Sequence, residues 1–198
     1  MTPRTPTDAD LTKLHARVNQ YIGQRFTISM TAIAIFGVVL GWMILGLVLS
    51  ASPETQVKPS MFLIAIILLF VLSILFLYSQ ILLRDARIVV AYLRGTGVSV
   101  WEQDYSQFNK KHPSKMSRHH AVFWLFQGLG FMAWTSPFAL IALYPAEAGT
   151  ETGIFGTALV FFGLLYTALL FWLRESVFFG KDADERWKAF WEDGSGSP

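Results

Sequence analysis

The sequence predicts an all-α membrane protein, a four-transmembrane-helix bundle with amphipathic helices on its cytoplasmic side. Apolar residues make up 53% of the 198 residues and charged residues only 15%, whereas soluble proteins average about 45–50% and about 25%. The charges are also unevenly placed, because four long windows contain none. A bilayer span must exclude charge, since each Lys, Arg or Asp at its centre costs roughly 2.5–3.5 kcal/mol on the insertion scale.

The N-terminal arm is predicted to be a helix of a different kind. Thr7 and Asp10 have the spacing of a capping pair, and Asp8 suits the positive end of a helix dipole. Apolar residues then recur at helical spacing, which predicts an amphipathic helix lying on the membrane or packed under the bundle. These residues are Leu11, Leu14, Val18, Tyr21 and Ile22.

Four apolar windows are each close to the roughly 20 residues that a hydrocarbon core of about 30 Å requires. A soluble core helix of this length would show a polar stripe, and these windows contain no Asp, Glu, Lys, Arg or His away from their ends. The predicted spans are 26–50, 61–83, 121–144 and 154–173.

The distribution of Lys and Arg predicts the orientation. Of the 16 Lys and Arg residues, only Lys58 lies in the two short loops that follow the first and third spans. The other 15 Lys and Arg residues precede the first span, lie between the second and third spans, or follow the fourth span. Because positive charge stays on the cytoplasmic side during insertion, both termini and the long middle loop are expected in the cytoplasm.

The middle loop, 84–120, combines aromatic and basic residues. The second span should continue as a helix until Gly95, because glycine commonly ends helices. The aromatic residues beyond it recur at helical spacing and suit the headgroup zone of a membrane. The basic residues suit anionic lipid, although they also serve as the topology signal. The candidate lipid or partner contacts are Trp101, Tyr105, Phe108, Lys110, Lys111, Lys115 and Arg118.

The chain is therefore expected to comprise five segments. They are a cytoplasmic arm (1–25), a first transmembrane hairpin (26–83), a cytoplasmic loop (84–120), a second hairpin (121–173) and a cytoplasmic tail (174–198). The two hairpins have the same orientation and end in similar sequences, Leu83-Arg84-Asp85 and Leu173-Arg174-Glu175. This similarity fits a tandem duplication, but any four-span chain with both ends inside would share the arrangement.

Small residues mark candidate helix-packing faces. Gly37 and Gly41 in the first span are four residues apart, and Gly156 and Gly163 in the fourth are seven apart. Glycine at such spacings lets two helix backbones approach closely, so that dispersion drives their association in lipid. These faces predict either contacts between copies of the chain or ordinary packing within one bundle.

The third span is the most polar and is the first candidate to line a cavity or pore, through Gln127, Thr135, Ser136 and Pro137. Pro137 should kink the helix, and the hydroxyl of Thr135 or Ser136 can bond the carbonyl that proline releases. The other interpretation is a kinked structural helix in which Gln127 bonds a neighbouring helix. Thr27, Ser29, Thr31, Ser73, Ser79 and Gln80 are further candidates, in the first two spans, for lining a cytoplasmic vestibule.

Catalytic and metal-binding patterns are not apparent in the sequence. There is no cysteine, and the neighbouring His119 and His120 would point to different faces of a helix. A role for histidine as a pH sensor remains open, since histidine titrates near neutrality. No cofactor and no metal are predicted. The net charge of +2 does not indicate nucleic-acid binding, which usually needs a strongly basic surface.

These patterns predict a non-catalytic protein of the bacterial inner (cytoplasmic) membrane that acts through helix association. It would be an oligomeric assembly or an accessory subunit of a membrane complex, with membrane lipids, itself or other membrane subunits as partners. One alternative is a homo-oligomeric channel or membrane-perturbing effector lined by the third span. Another is an enzyme that acts on lipid, for which only the histidines and Asp85, Glu102, Asp104 or Glu175 could supply catalytic groups.

Overall fold

The computed structural model describes residues 7–49, 59–96, 118–143, 150–175 and 183–192, and all of these except Thr7 and Thr96 are α-helical. The helices, in chain order, are α1 (Asp8–Leu49), α2 (Pro59–Gly95), α3 (Arg118–Leu143), α4 (Thr150–Glu175) and α5 (Ala183–Glu192).

Helices α1 to α4 are long and apolar enough to cross a membrane, which makes the chain a multi-pass membrane protein by length and composition. The predicted spans lie within them, apart from Ser50 and Tyr144, which fall outside the described residues. Large apolar side chains are exposed on all four helices, among them Val38, Phe70, Phe131 and Phe161. Exposed apolar surface on every helix is the pattern expected of a protein surrounded by lipid rather than water.

Helix α1 joins the predicted arm and the first predicted span without a break. Its first turn is held by a reciprocal cap, in which the Asp10 amide donates to Thr7 Oγ1 at 3.3 Å and the Thr7 amide donates to Asp10 Oδ2 at 3.2 Å. This confirms the capping pair expected from the sequence. The helix continues past Arg25 because no proline interrupts its hydrogen-bond ladder.

Helix α2 extends well beyond the predicted second span and ends at Gly95, as its sequence predicts. The Thr96 amide donates to the Tyr92 carbonyl at 3.0 Å and closes the last turn. Helix α2 has 37 residues and is roughly 55 Å long, whereas α3 and α4 have 26 residues each and are roughly 40 Å long.

The described residues divide into two compact units. The first unit holds 7–27, 78–96, 175 and 183–192, and the second holds 28–49, 59–77, 118–143 and 150–174. In this described part of the second unit, Asp, Glu, Lys, Arg and His occur only at 118–120, 151 and 174, at or near helix ends. The second unit therefore contains the uncharged lengths of α1 to α4.

Aromatic side chains form much of the core of the second unit. The ring centroids of Phe62 and Phe138 are 5.8 Å apart, and those of Phe76 and Phe126 are 5.3 Å apart. Phe62 and Phe76 belong to α2, while Phe126 and Phe138 belong to α3, so these pairs join the two helices. Tilted and edge-to-face arrangements are the ones that aromatic quadrupoles favour.

Candidate functional site

Helices α3 and α4 meet along a regular seam. The buried residues of α4 recur at alternating steps of three and four, which is the heptad spacing of helices that pack nearly parallel or antiparallel. Gly156 and Gly163 are seven apart and hold equivalent positions on this seam. The seam residues of α4 are Gly156, Leu159, Gly163, Tyr166, Leu170 and Leu173.

The ring of Tyr166 lies directly over Gly130 of α3. A β-carbon at Gly130 would overlap this ring, so only glycine permits the contact. The Tyr166 hydroxyl donates to the carbonyl of Phe126 at 2.6 Å, and this carbonyl is one helical turn before Gly130. Gly130 lies in the third predicted span, and the local sequence gives no sign that Tyr166, in the fourth span, is its partner.

Trp134 and Gly163 form the reciprocal contact. A β-carbon at Gly163 would stand 2.6 Å from Cδ1 and 2.7 Å from Cγ of the Trp134 indole. Each helix thus places one aromatic ring over a glycine of the other. We call Gly130, Tyr166, Trp134 and Gly163 the glycine–aromatic interlock. Gly156 is less crowded, because its β-carbon would meet Phe62 and Phe138 at ordinary distances of 3.6 and 3.7 Å.

Gln127 also lies between these helices. Its Nε2 donates to Thr167 Oγ1 at 3.5 Å, which agrees with the interpretation that Gln127 bonds a neighbouring helix. Gln127 Oε1 and Trp134 Nε1 are buried and have no hydrogen-bond partner among the described residues. Helix α3 therefore carries two buried polar atoms beside the hydrogen bond that Gln127 makes to Thr167.

The other candidate pore residues lie at and just before Pro137 of α3. Pro137 is fully buried and leaves the carbonyl of Ala133 without its usual amide donor. The Ser136 hydroxyl donates to this carbonyl at 3.2 Å, which confirms the expected compensation. The Thr135 hydroxyl donates to the Phe131 carbonyl at 2.8 Å, so it too bonds its own helix.

Gly37 and Gly41 are placed differently from the glycines of the interlock. Both are exposed on α1, and a β-carbon at either would meet nothing within 4 Å. Gly128 on α3 is equally open. The described part of the chain therefore does not use Gly37 and Gly41, the open glycine pair, for close packing.

The first unit contains a buried arginine. Arg25 is 8% exposed, and its Nε donates to Ser79 Oγ at 3.0 Å, with Ser79 fully buried. Arg87, further along α2, is partly buried. The spacing of the arm could have revealed this position. Leu11, Leu14, Val18 and Tyr21 recur at alternating steps of three and four, and the next step of four reaches Arg25.

Trp187 connects helix α5 with α2. Trp187 Nε1 donates to the Ile88 carbonyl at 3.0 Å, and the centroid of its ring lies 5.0 Å from that of Tyr92. A ten-residue helix is marginal in water by itself. The contact with α2 therefore contributes to the stability of α5.

The contact cluster predicted at 101–118 lies outside the described residues, except for the backbone of Arg118, where α3 begins. His15 is exposed on α1. No group of three or more His, Cys, Asp or Glu that could hold a metal ion occurs within the described ranges.

Comparison of the chain with protein-family models, with curated proteins and with solved structures gave no match. The case for a function therefore depends on the residues and contacts described above.

Proposed function

We propose that this protein is a non-catalytic integral membrane protein that acts through helix association, with the open glycine pair of α1 as its contact face. The observation that carries the proposal is the difference between its glycines. Gly130 and Gly163 are covered by aromatic rings of the same chain, whereas Gly37 and Gly41 are exposed and meet nothing within 4 Å of a β-carbon.

Two physical arguments support this face as a contact surface. A helix that carries glycine four residues apart presents a shallow groove, in which a second helix backbone can approach closely and gain dispersion energy. Lipid chains fill such a groove less closely than a helix does, and glycine also costs helix stability relative to alanine. Glycine at two exposed positions one turn apart is therefore favourable when another helix packs there.

The proposed location is the bacterial inner membrane, with both termini in the cytoplasm. Its support is the concentration of Lys and Arg before the first span, between the second and third, and after the fourth. The partners proposed for the open glycine pair are a second copy of the chain or another membrane subunit, and the surrounding lipids contact the remaining apolar surface.

The test is the mass of the particle extracted from native membranes into lipid nanodiscs. Wild-type protein should be released as a discrete oligomer or together with other chains. The double variant Gly37→Leu/Gly41→Leu should be released as the monomer, with association weakened at least tenfold, or about 1.4 kcal/mol. The control is Gly128→Leu, the same change at an open glycine of α3, and it should keep the wild-type mass. A double variant with the wild-type mass, or a wild-type monomer, would contradict the proposal.

The channel alternative has one supporting observation, the buried Gln127 Oε1 without a hydrogen-bond partner in the described part of the chain. The hydroxyls of Thr135 and Ser136 bond their own helix and Pro137 is buried, so these three side chains contribute little to a polar path. Ion flux from purified protein in liposomes, changed by Gln127→Leu, would favour a channel over the glycine-mediated assembly.

A further inference from the structure

Aromatic contacts in the second unit define two levels along its helices. At the first level, the ring centroid of Phe123 in α3 lies 6.3 Å from that of Phe76 in α2 and 5.3 Å from that of Phe171 in α4. At the second level, the ring centroids of Phe62 and Phe138 are 5.8 Å apart.

The two levels are the same distance apart on three helices. Gly156 of α4 belongs to the second level, because a β-carbon there would contact both Phe62 and Phe138. The levels are therefore 14 residues apart on α2 and 15 residues apart on α3 and on α4, or about 21–23 Å in each case. A membrane boundary that is located on one of these helices is thereby located on all three.

The ionisable residues of α3 and α4 locate one such boundary near the first level. Arg174 follows Phe171 by three residues, and His120 and Arg118 precede Phe123 by three and five residues. Because ionisable side chains are costly inside the hydrocarbon core, the core should end on α3 and α4 within about three residues of the first level.

The boundary that follows for α2 differs from the end of its apolar window. Three residues beyond Phe76 is Ser79, whereas the apolar window continues to Leu83. A boundary at Leu83 lies seven residues beyond Phe76, and the same displacement on the other two helices would place Arg174 and Arg118 inside the hydrocarbon core. The residues just before Leu83 are apolar for another reason. Leu82 and Leu83 are 5% and 7% exposed, so protein covers them rather than lipid.

Amphipathic rings are exposed at the same level. Trp and Tyr favour the membrane–water interface, because the body of the ring is apolar and its N–H or O–H group is polar. The rings that lie one or two residues from the first level, with exposed fractions of 50%, 53% and 57%, are Tyr78, Trp124 and Trp172.

We infer that Tyr78, Trp124 and Trp172 form a surface that binds the headgroup layer of the bilayer, and that α2 leaves the hydrocarbon core beside Tyr78. Residues 79–95 of α2, about 25 Å of helix, then lie outside the core. The inference goes beyond the proposed helix association. It does not depend on Gly37 or Gly41, so either proposal can fail without the other.

The test uses single cysteines that carry a nitroxide spin label, and the chain has no cysteine of its own. Ile74→Cys and Ile81→Cys are a matched pair, because these isoleucines are 50% and 39% exposed and lie two turns apart on one face of α2. Each labelled full chain is reconstituted into phosphatidylcholine vesicles. Electron paramagnetic resonance measures the collisions of the label with oxygen, which dissolves in hydrocarbon, and with a water-soluble nickel complex present on both sides of the membrane.

The ratio of nickel to oxygen collisions should be at least about tenfold higher for Ile81→Cys than for Ile74→Cys, because a polar complex does not enter hydrocarbon. Trp124→Cys and Trp172→Cys should give ratios between these two. A low ratio at both isoleucine positions would mean that the hydrocarbon core continues past Ile81, and a high ratio at both that it ends before Ile74. Either result would overturn the inference.

The tryptophan positions test the headgroup contact separately. A ratio at either of them as low as that of Ile74→Cys would place the ring inside the hydrocarbon core and overturn its assignment to the interface. If a tryptophan variant does not fold, the isoleucine pair still decides where α2 leaves the core, because both of its side chains are exposed and their replacement disturbs no buried contact.

Discussion

Tyr166 covers Gly130 with its ring, and its hydroxyl bonds the Phe126 carbonyl one helical turn earlier at 2.6 Å. The absence of a side chain at Gly130 is therefore what allows Tyr166 to approach the backbone of α3. Trp134 and Gly163 repeat the arrangement in the opposite direction. In lipid, where apolar burial drives little association, close packing of this kind and interhelical hydrogen bonds hold helices together.

Gly130→Ala should destabilise the protein by about 1–3 kcal/mol, because the new methyl group displaces a buried ring. Gly128→Ala is the control, since Gly128 is exposed and a β-carbon there meets nothing within 4 Å. It should be neutral or stabilising by up to about 1 kcal/mol, because alanine favours a helix over glycine. Unfolding in mixed micelles with increasing sodium dodecyl sulfate measures both. Equal effects at the two positions would show that the interlock does not govern stability.

Gly163→Ala should also destabilise the protein by about 1–3 kcal/mol. The added carbon would stand 2.7 Å from Cγ of Trp134, an atom that moves away only if the indole changes its χ1 rotamer or the two helices separate. Gly156→Ala is the control on the same seam, with contacts of 3.6 and 3.7 Å, and should change the free energy of unfolding by less than about 1 kcal/mol. The same titration measures both, and a larger effect at Gly156 would contradict the structure.

Ser136→Ala should cost about 1–3 kcal/mol, because it leaves the Ala133 carbonyl without a donor opposite Pro137. Thr135→Val is the comparison. The Phe131 carbonyl bonded by Thr135 has the Thr135 backbone amide as its helical donor, so this change should cost less than Ser136→Ala. The two unfolding free energies, measured in the same detergent mixture, test the difference. An equal or smaller cost for Ser136→Ala would indicate that another group bonds the Ala133 carbonyl.

Trp187→Phe should loosen α5 without unfolding the rest of the protein. The change keeps a ring beside Tyr92 but removes the hydrogen bond to the Ile88 carbonyl, at a cost of about 0.5–1.5 kcal/mol. Hydrogen–deuterium exchange of 183–192 measures the local effect. Lys188→Ala is the control, because its exposed ion pair with Glu192 at 3.9 Å contributes little. Equal exchange in the two variants would argue against Trp187 as the main contact.

The cap of α1 predicts a pH dependence. Hydrogen bonds from Thr7 hold the pKa of the Asp10 carboxyl below its usual value. A carboxyl with a lowered pKa in the folded state stabilises the helix end above the pKa of the unfolded chain, about 3.9, and loses that contribution as the pH falls through the folded value. The amide chemical shifts of Thr7 and Asp10 between pH 2 and pH 6 report the titration. Thr7→Ala should raise the pKa of Asp10, whereas Thr12→Ala, whose hydroxyl bonds the Asp8 carbonyl, should leave it unchanged.

Several features of the fold follow from local sequence. The four apolar windows lie in four helices of sufficient length, α2 ends at Gly95, and Thr7 and Asp10 cap α1. Ser136 compensates for Pro137 within the same turn. In each case the interacting groups are a few residues apart or the property is the hydropathy of one segment, so no knowledge of neighbouring helices is needed. The continuity of α1 past Arg25 is a local feature that the change in composition obscured.

The sequence by itself determined the class of the protein, because a bilayer span requires an uncharged window of about 20 residues and a helix satisfies its own backbone hydrogen bonds. Only the tertiary structure decided which glycines are packed. Gly41 and Gly163 are both glycines in apolar helices, yet one is open and the other lies against Trp134. It likewise decided that Arg25 is enclosed beside Ser79, 54 residues away. Such contacts depend on which face of each helix meets a neighbour, and this is set by the packing of all the helices together.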